Sequence, residues 1–195
     1  VFLTYPSVTR KIINSSNEKF DKPSVILANH TSFLDILAVG MLSPKIIFLV
    51  SDWVYNSPIF GKGVRLAGFY PVSSGMDNGV EHLRDKVEQG FSIMVFSLLT
   101  RSEDNSIKRF HKGAFYLAEQ LNLDIIPIVI HGYSEVCPKG DFILNGGNTT
   151  TAILNRISPD NLDFGNNVAE RTKKISTFFK QEYKKMRLDL EDPDY

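Results

Sequence analysis

The 195-residue chain has a single cysteine, Cys137, and no excess of charge of either sign. One cysteine excludes an internal disulfide and a zinc site built from several cysteines, and it favours a reducing compartment. The 22 basic and 22 acidic residues give a formal net charge of zero, which disfavours a nucleic-acid-binding protein. With 43% hydrophobic and 23% charged residues, the composition is that of a packed globular domain and excludes a disordered chain.

Long hydrophobic runs are also absent. The longest lie near residues 36–42 and 94–99, well short of the roughly 20 residues that a membrane-spanning helix needs. No basic segment followed by an apolar one opens the chain, so the sequence predicts no signal peptide. Because residue 1 is Val rather than Met, we interpret the chain as part of a longer protein and expect any membrane anchor to lie upstream.

Short apolar runs alternate with amphipathic segments along the chain. Strands buried on both faces are predicted over residues 25–28, 46–50, 69–72, 93–96 and 125–130. Helices are predicted over residues 33–42, 78–89, 112–121 and about 168–188, and weaker strands, at a sheet edge, over residues 142–144 and 150–157. This alternation predicts one α/β domain, residues 1–195, in which helices flank a largely parallel central sheet.

We expect the core of this domain to span about residues 20–160, with the helix near 168–188 closing the chain. In a parallel sheet of this kind, functional groups lie in the loops that follow the strands. The loops at the ends of the predicted strands are therefore the first place to look for chemistry.

The segment from Asn29 to Asp35 lies between a predicted strand and a predicted helix, and it has two interpretations. In the first, Ser32 and Asp35 form a capping box and His30 is an ordinary loop residue. In the second, Asp35 accepts a hydrogen bond from one ring nitrogen of His30, and the other nitrogen takes a proton from a substrate hydroxyl. Ser32 lacks the Gly-x-Ser-x-Gly elbow of a nucleophile, so capping is its expected role.

Asn29-His30 followed by Asp35 after a buried strand resembles the first signature of the 1-acylglycerol-3-phosphate acyltransferases, the lysophospholipid acyltransferase family. Four further segments resemble family blocks in the family's order. They are residues 61–72, 95–102, 110–115 and 125–129. The resemblance covers about residues 20–135 and implies the α/β fold of the glycerolipid acyltransferases.

The resemblance also implies a reaction and its partners. His30 would be the general base and Asp35 its orienting carboxylate, with the hydroxyl of a lysolipid attacking the thioester of acyl-CoA or acyl carrier protein. No acyl-enzyme, metal or cofactor is implied. Thr100, Arg101, Ser102 and Lys112 would bind the acceptor phosphate. We expect the protein at the cytoplasmic side of a membrane, either peripheral or anchored by a segment outside this chain.

Two positions depart from the family pattern. Ser73 stands where the second block usually has an arginine, and Ser97, Leu98 and Leu99 stand where the third block has Pro-Glu-Gly. Both departures are at positions that help to bind the acceptor phosphate in the family. Two alternatives to the acyltransferase therefore stay open: a catalytically impaired domain that binds a lipid or a partner, and a hydrolase in which His30 activates water.

Two further segments have a structural and a functional interpretation each. Residues 53–60, which include Trp53, form an apolar and aromatic stretch that either packs in the core or contacts lipid as an acyl-chain groove or headgroup surface. The last predicted helix carries seven basic residues between Arg171 and Arg187. A solvated face is the expected role of these basic side chains, and contact with an anionic membrane is the alternative.

Overall fold

The computed structural model describes residues 7–58, 61–71, 76–96, 110, 112–138 and 144–191. The described strands form one seven-stranded sheet in the order β1-β7-β6-β2-β5-β3-β4. Their bounds are β1 Val8–Asn14, β2 Ser24–Ala28, β3 Ile46–Val50, β4 Tyr70–Pro71, β5 Ser92–Phe96, β6 Asp124–His131 and β7 Gly147–Ile153.

The four helices predicted from the sequence are present, and shorter helices lie between them. Their bounds are α1 Leu34–Gly40, α2 Asp52–Tyr55, α3 Gly61–Leu66, α4 Met76–Glu88, α5 Lys112–Gln120, α6 Tyr133–Val136 and α7 Val168–Glu191, with a 3₁₀ turn at Leu162–Phe164. Within the described part of the chain, no helix has the length and apolarity needed to cross a bilayer.

The predicted largely parallel sheet is confirmed. Strands β2 to β6 pair in parallel, whereas β7 runs antiparallel to β6 and β1 runs parallel to β7. All five residues of β2 and all eight of β6 are buried, because helices cover both faces of the sheet at its centre.

The edge next to β7 differs from the prediction. The strand expected over residues 150–157 spans Gly147–Ile153 and lies inside the sheet, because β1, which the sequence did not predict, covers its outer side. Most of β1 is exposed or half-buried, so it has no continuous apolar run to mark it. Leu144 is not in a strand, and residues 142 and 143 of that predicted segment lie outside the described residues.

Alternation along the strands divides the core into two layers. Val25 and Leu27 face one layer, in which α4, α5 and α7 pack, and which we call the α7 side. Ile26 and Ala28 face the other layer, in which α1, α2, α3 and α6 pack, and which we call the α1 side. The catalytic candidate His30 follows β2 directly, at the edge where the parallel strands end.

Helix α7 docks through one apolar stripe. Ile175, Phe179, Tyr183 and Met186 are buried at helical spacing against the sheet. The lysines of α7 are exposed, as expected of a solvated face. Arg171 departs from that expectation, since its guanidinium donates to the carbonyls of Ser158, Pro159 and Asn161, and burial lowers its pKa.

An ion-pair network joins the loops at the other end of the sheet from His30. The guanidinium of Arg156 donates to both carboxylate oxygens of Glu18, at 2.6 and 2.9 Å, and to Asp124 at 3.4 Å. Lys22 also pairs with Asp124, at 3.0 Å. The hydrogen bonds from Arg156 hold the pKa of Glu18 below its ordinary value, so the pair stabilises the folded state at neutral pH.

Candidate active site

The site begins where β2 leaves the sheet. The side-chain amide of Asn29 donates to the carbonyl of Ile130 at 2.7 Å, and its oxygen accepts from the backbone N–H of Ile130 at 2.8 Å. The buried Asn29 side chain therefore continues the β2–β6 ladder for one more residue, with an amide in place of a peptide group. This double hydrogen bond fixes the chain immediately before His30.

His30 and Asp35 are in contact. Nδ1 of His30 lies 3.1 Å from Oδ2 of Asp35, and the carboxylate is fully buried while the imidazole is about one-eighth exposed. An ionised carboxylate only accepts hydrogen bonds, so this contact places the ring proton on Nδ1 and leaves the lone pair on Nε2. Nε2 is the atom available to take a proton from a substrate.

The carboxylate half of the predicted capping box is present, although Phe33 rather than Ser32 is the N-cap residue of α1. Oδ2 of Asp35 accepts from the backbone N–H of Thr31 at 2.6 Å and of Ser32 at 2.8 Å. Ser32 Oγ lies 3.3 Å from the N–H of Leu34 and donates to the carbonyl of Cys137 at 2.9 Å. One carboxylate oxygen thus orders the turn and orients the imidazole, so the two interpretations of this segment are compatible.

The second carboxylate oxygen has a different environment. Among the described residues, Oδ1 of Asp35 is buried and has no hydrogen-bond partner. Removing a charged oxygen from water without a partner costs free energy. The bonds to Oδ2 and the positive end of α1 compensate for this cost.

Aromatic rings support one face of the imidazole. The ring of Phe96 stacks on His30 with the centroids 4.3 Å apart and the planes 25° from parallel. Phe48 lies behind Phe96 at 6.3 Å, and Phe69 contacts Phe48 at 4.8 Å. The stack leaves the imidazole little freedom to tilt, so its Nε2 has a defined direction.

The structure describes only part of the predicted acceptor site. Lys112 is exposed at the first residue of α5. Thr100, Arg101 and Ser102 lie outside the described residues, as do the departing positions Ser73, Ser97, Leu98 and Leu99.

The apolar stretch near Trp53 is divided between the core and the surface. Val54 and Tyr55 pack against the α1-side core, whereas Trp53 itself is 68% exposed. Residues 59 and 60 lie outside the described part of the chain. The interpretation as core packing is therefore wrong for Trp53.

Sequence reasoning missed two supports of the site. The motif alone assigns no structural role to Asn29, and the apolar pattern identifies Phe96 only as the last residue of a strand. The register of the sheet explains both, because Ala28 lies beside Phe96 on β5 and beside Ile128 on β6. With the strand order known, this register would place Phe96 and Ile130 next to the residues that follow Ala28.

The fold and the site together define a class of protein. A parallel α/β sheet that presents a histidine oriented by a buried carboxylate suits a reaction in which a hydroxyl is activated by a general base. Among the described residues, no group of three His, Cys, Asp or Glu side chains is placed to hold a metal ion.

The chain belongs to the Acyltransferase family, whose profile matches residues 9–131. It is 31% identical over 139 residues to the chloroplastic 1-acyl-sn-glycerol-3-phosphate acyltransferase LPAT1 of Arabidopsis thaliana, covering 68% of this chain and 39% of the plant protein. The 1-acyl-sn-glycerol-3-phosphate acyltransferase of Saccharomyces cerevisiae is 28% identical over 152 residues, covering 72% and 49% of the two chains. The chain thus spans half or less of the length of these relatives.

A solved structure shows the same fold. The 1-acyl-sn-glycerophosphate acyltransferase PlsC from Thermotoga maritima superposes with a TM-score of 0.73 over 91% of this chain and 73% of its own, at 20% identity. The predicted family and the predicted α/β architecture are both confirmed.

Proposed function

We propose that this protein transfers a fatty acyl group from a thioester, acyl-CoA or acyl carrier protein, to a hydroxyl of a lysophospholipid, with His30 as general base. The 3.1 Å contact between Nδ1 of His30 and the buried carboxylate of Asp35 carries the proposal. The names of the curated relatives, 1-acyl-sn-glycerol-3-phosphate acyltransferases, support the class of acceptor.

The reaction follows from the tautomer that Asp35 imposes. Nε2 of His30 takes the proton of the acceptor hydroxyl as its oxygen attacks the thioester carbonyl. The tetrahedral intermediate collapses with cleavage of the C–S bond, and the leaving sulfur receives the proton from Nε2. Asp35 remains ionised and stabilises the imidazolium between the two transfers.

Transfer is direct rather than through an acyl-serine. Of the two hydroxyls that follow His30, Thr31 Oγ1 lies 3.5 Å from Oδ2 of Asp35. Ser32 donates to the carbonyl of Cys137 and lies just before α1. Its Oγ proton is engaged with a backbone carbonyl rather than with the imidazole. Ser32 is therefore a structural residue of the turn.

The acceptor phosphate is assigned to Thr100, Arg101, Ser102 and Lys112. Lys112 supports this role, because it lies exposed at the N-terminus of α5, where a cation and free backbone N–H groups together favour an anion. Since the acceptor is a lipid, we place the protein at the cytoplasmic surface of a membrane.

An acyl-transfer assay tests the proposal. A radiolabelled acyl group on CoA or on carrier protein is offered with a panel of lysolipids to the wild type, His30→Ala and His82→Ala. His82 is a matched control, since it is an exposed histidine on α4 that stacks on Tyr70. We expect labelled phospholipid from the wild type and His82→Ala, and none from His30→Ala.

Two other outcomes would contradict the proposal. Release of free fatty acid that does not depend on an acceptor would make the protein a hydrolase. Binding of lysolipid without acyl transfer from any donor would make it a catalytically impaired lipid-binding domain.

A further inference from the structure

The outer face of α1 is apolar although it is exposed. Phe33, Leu37 and Met41 recur at intervals of four residues and are 47%, 44% and 37% exposed. Between residues 33 and 42 the single charged residue is Asp35, which is buried. A surface helix normally turns charged residues to water on this side, so α1 has the composition of a helix covered on both sides.

Further exposed hydrophobic side chains lie on the same side of the sheet as α1. Among the described residues, eight large hydrophobic side chains are exposed, and six of them belong to the α1 side of the sheet. They are Phe33, Leu37, Met41, Trp53 on α2, Leu66 on α3 and Ile12 on β1. Ile12 lies on the α1 side because side chains alternate between the two faces along β1. Val8 packs in the α1-side core, and the guanidinium of Arg10 lies 3.7 Å from the sulfur of Met41.

The other two exposed residues provide a contrast. Leu162 and Leu188 are 69% and 64% exposed but lie on the α7 side, on the 3₁₀ turn and on α7. Single exposed apolar residues are ordinary on a protein surface, whereas neighbouring ones mark an interaction surface. Phe33, Leu37 and Met41 are such neighbours, since residues four apart lie side by side on a helix.

We infer that this α1 face, with Phe33, Leu37, Met41, Trp53 and Leu66, is the surface by which the protein lies on a lipid bilayer. The inference rests on the proposed function in one respect, the lipid nature of the acceptor. Helix α1 begins between His30 and Asp35, with Asp35 in its first turn, and Phe33 is two residues from Thr31, which binds Asp35. Contact of the start of α1 with lipid would therefore hold the base close to the membrane surface that contains the lysolipid.

The charges in this part of the chain favour the same occupant. From residue 36 to residue 71 the chain has three basic residues, Lys45, Lys62 and Arg65, and one acidic residue, Asp52. Lys62 and Arg65 are exposed on α3 next to Leu66, and lysine and arginine beside exposed apolar side chains are typical of surfaces that bind anionic lipid.

The single tryptophan of the chain reports on this contact directly. Trp53 lies on the inferred face, so its fluorescence is read without other tryptophans. On phosphatidylcholine vesicles containing phosphatidylglycerol we expect a blue shift, and on vesicles with brominated acyl chains we expect quenching. Neither measurement requires turnover, so an enzyme that proved inactive would still be tested for binding.

A pair of double variants tests the face itself. Leu37→Glu with Met41→Glu adds two charges on the α1 side, and Leu162→Glu with Leu188→Glu adds the same charge on the α7 side. We expect the first to weaken vesicle binding about tenfold or more and the second to leave it near the wild-type value. The first variant should still acylate a short-chain, monomeric lysolipid while losing transfer to acceptor held in vesicles.

Several results would overturn the inference. They are equal loss of binding in both double variants, no quenching of Trp53 by brominated lipid, or vesicle binding unchanged by Leu37→Glu with Met41→Glu. Self-association of the wild type in sedimentation, abolished by that variant and without vesicle binding, would make the face an interface between two copies. Failure of the wild type to acylate the monomeric lysolipid would instead count against the proposed function alone.

Discussion

Oδ2 of Asp35 lies 3.1 Å from Nδ1 of His30 and 2.8 Å from the backbone N–H of Ser32. The same atom therefore orients the proposed base and closes the first turn of α1. A general base works best when its tautomer and direction are fixed before the substrate arrives. The turn before α1 and the imidazole therefore share one acceptor, so a change at Asp35 affects both of them.

Replacing His30 tests the chemistry apart from the fold. His30→Ala removes the proton acceptor but leaves the bonds from Thr31 and Ser32 to Asp35. We expect turnover to fall about 10²- to 10⁴-fold with little change in melting temperature. Steady-state kinetics and thermal unfolding of the same preparations measure the two quantities. Near-normal turnover in a folded His30→Ala protein would remove His30 from the mechanism.

Replacing Asp35 affects both activity and stability. In Asp35→Asn, the new amide has two possible orientations. Its NH₂ group lies either at the position of Oδ1, which has no partner, or next to Nδ1 of His30. In the second orientation the imidazole carries its proton on Nε2, which is the wrong tautomer for a base. We expect turnover to fall about 10²-fold or more and the free energy of unfolding to fall by about 1–2 kcal/mol through the loss of charge at the cap. Urea titration and kinetics check both, and unchanged stability would deny the capping role.

Elements with a strong apolar pattern were predictable from the sequence. Strands β2 and β6 are buried throughout, so each appears as an uninterrupted apolar run, and α7 shows one buried stripe at helical spacing. The pairing of His30 with Asp35 was also predictable, because a five-residue separation across a strand-to-helix turn is short enough for local geometry to bring the side chains together.

Features that depend on distant parts of the chain were not predictable. Strand β1 is half exposed, and its place in the sheet comes from pairing with β7, about 140 residues later. The contacts of Asn29 with Ile130 and of His30 with Phe96 depend on strand order, which no single segment encodes. The exposure of Trp53 likewise follows from the way α2 packs, since Val54 and Tyr55 take the places in the core.

The Asn29 amide gives a further test of positioning. Asn29→Ala removes both hydrogen bonds to Ile130 and leaves a buried N–H and C=O without their partner. We expect a loss of about 1–3 kcal/mol in the free energy of unfolding and about a tenfold or greater loss in kcat, because His30 is the next residue. Asn145→Ala, which removes one exposed contact to Glu135, is the matched control. Equal effects of the two variants would show that Asn29 has no special role.

The Glu18–Arg156 pair predicts how stability depends on pH. The pKa of Glu18 is lowered in the folded state, chiefly by hydrogen bonds from Arg156. Its contribution is therefore fully present above the unfolded-state value, about 4.3, and is lost as pH falls through the lower folded-state pKa. We expect Glu18→Gln to cost about 2 kcal/mol at pH 7 and progressively less below pH 4.

The control for this prediction is Glu88→Gln, which alters an exposed glutamate at the end of α4. Urea unfolding of the wild type and both variants between pH 3 and pH 7 measures the dependence. A cost of Glu18→Gln that stays constant over this range would contradict the assignment, as would an equal cost in the control.

The departure at Ser97, Leu98 and Leu99 leads to a prediction about the acceptor. The family has Pro-Glu-Gly at this place, and glycine reaches backbone angles that leucine adopts only with strain. A glutamate also holds a neighbouring arginine through a charge-assisted hydrogen bond, which Leu98 cannot do for Arg101. Because His30 and Asp35 are intact, we expect the wild type to show a high acceptor KM. Replacing the three residues with Pro-Glu-Gly should raise transfer to a phosphate-bearing lysolipid at least about tenfold, or about 1.4 kcal/mol.

Replacement with Pro-Gln-Gly separates the two causes, since it restores the backbone but not the charge. Recovery with Pro-Glu-Gly and much less with Pro-Gln-Gly would assign the effect to the carboxylate and Arg101, whereas equal recovery would assign it to the glycine. Efficient transfer by the wild type, unchanged by either replacement, would show that this segment does not hold the acceptor. An acceptor without a phosphate would then be the better match to a chain that lacks both Pro-Glu-Gly and the arginine expected at Ser73.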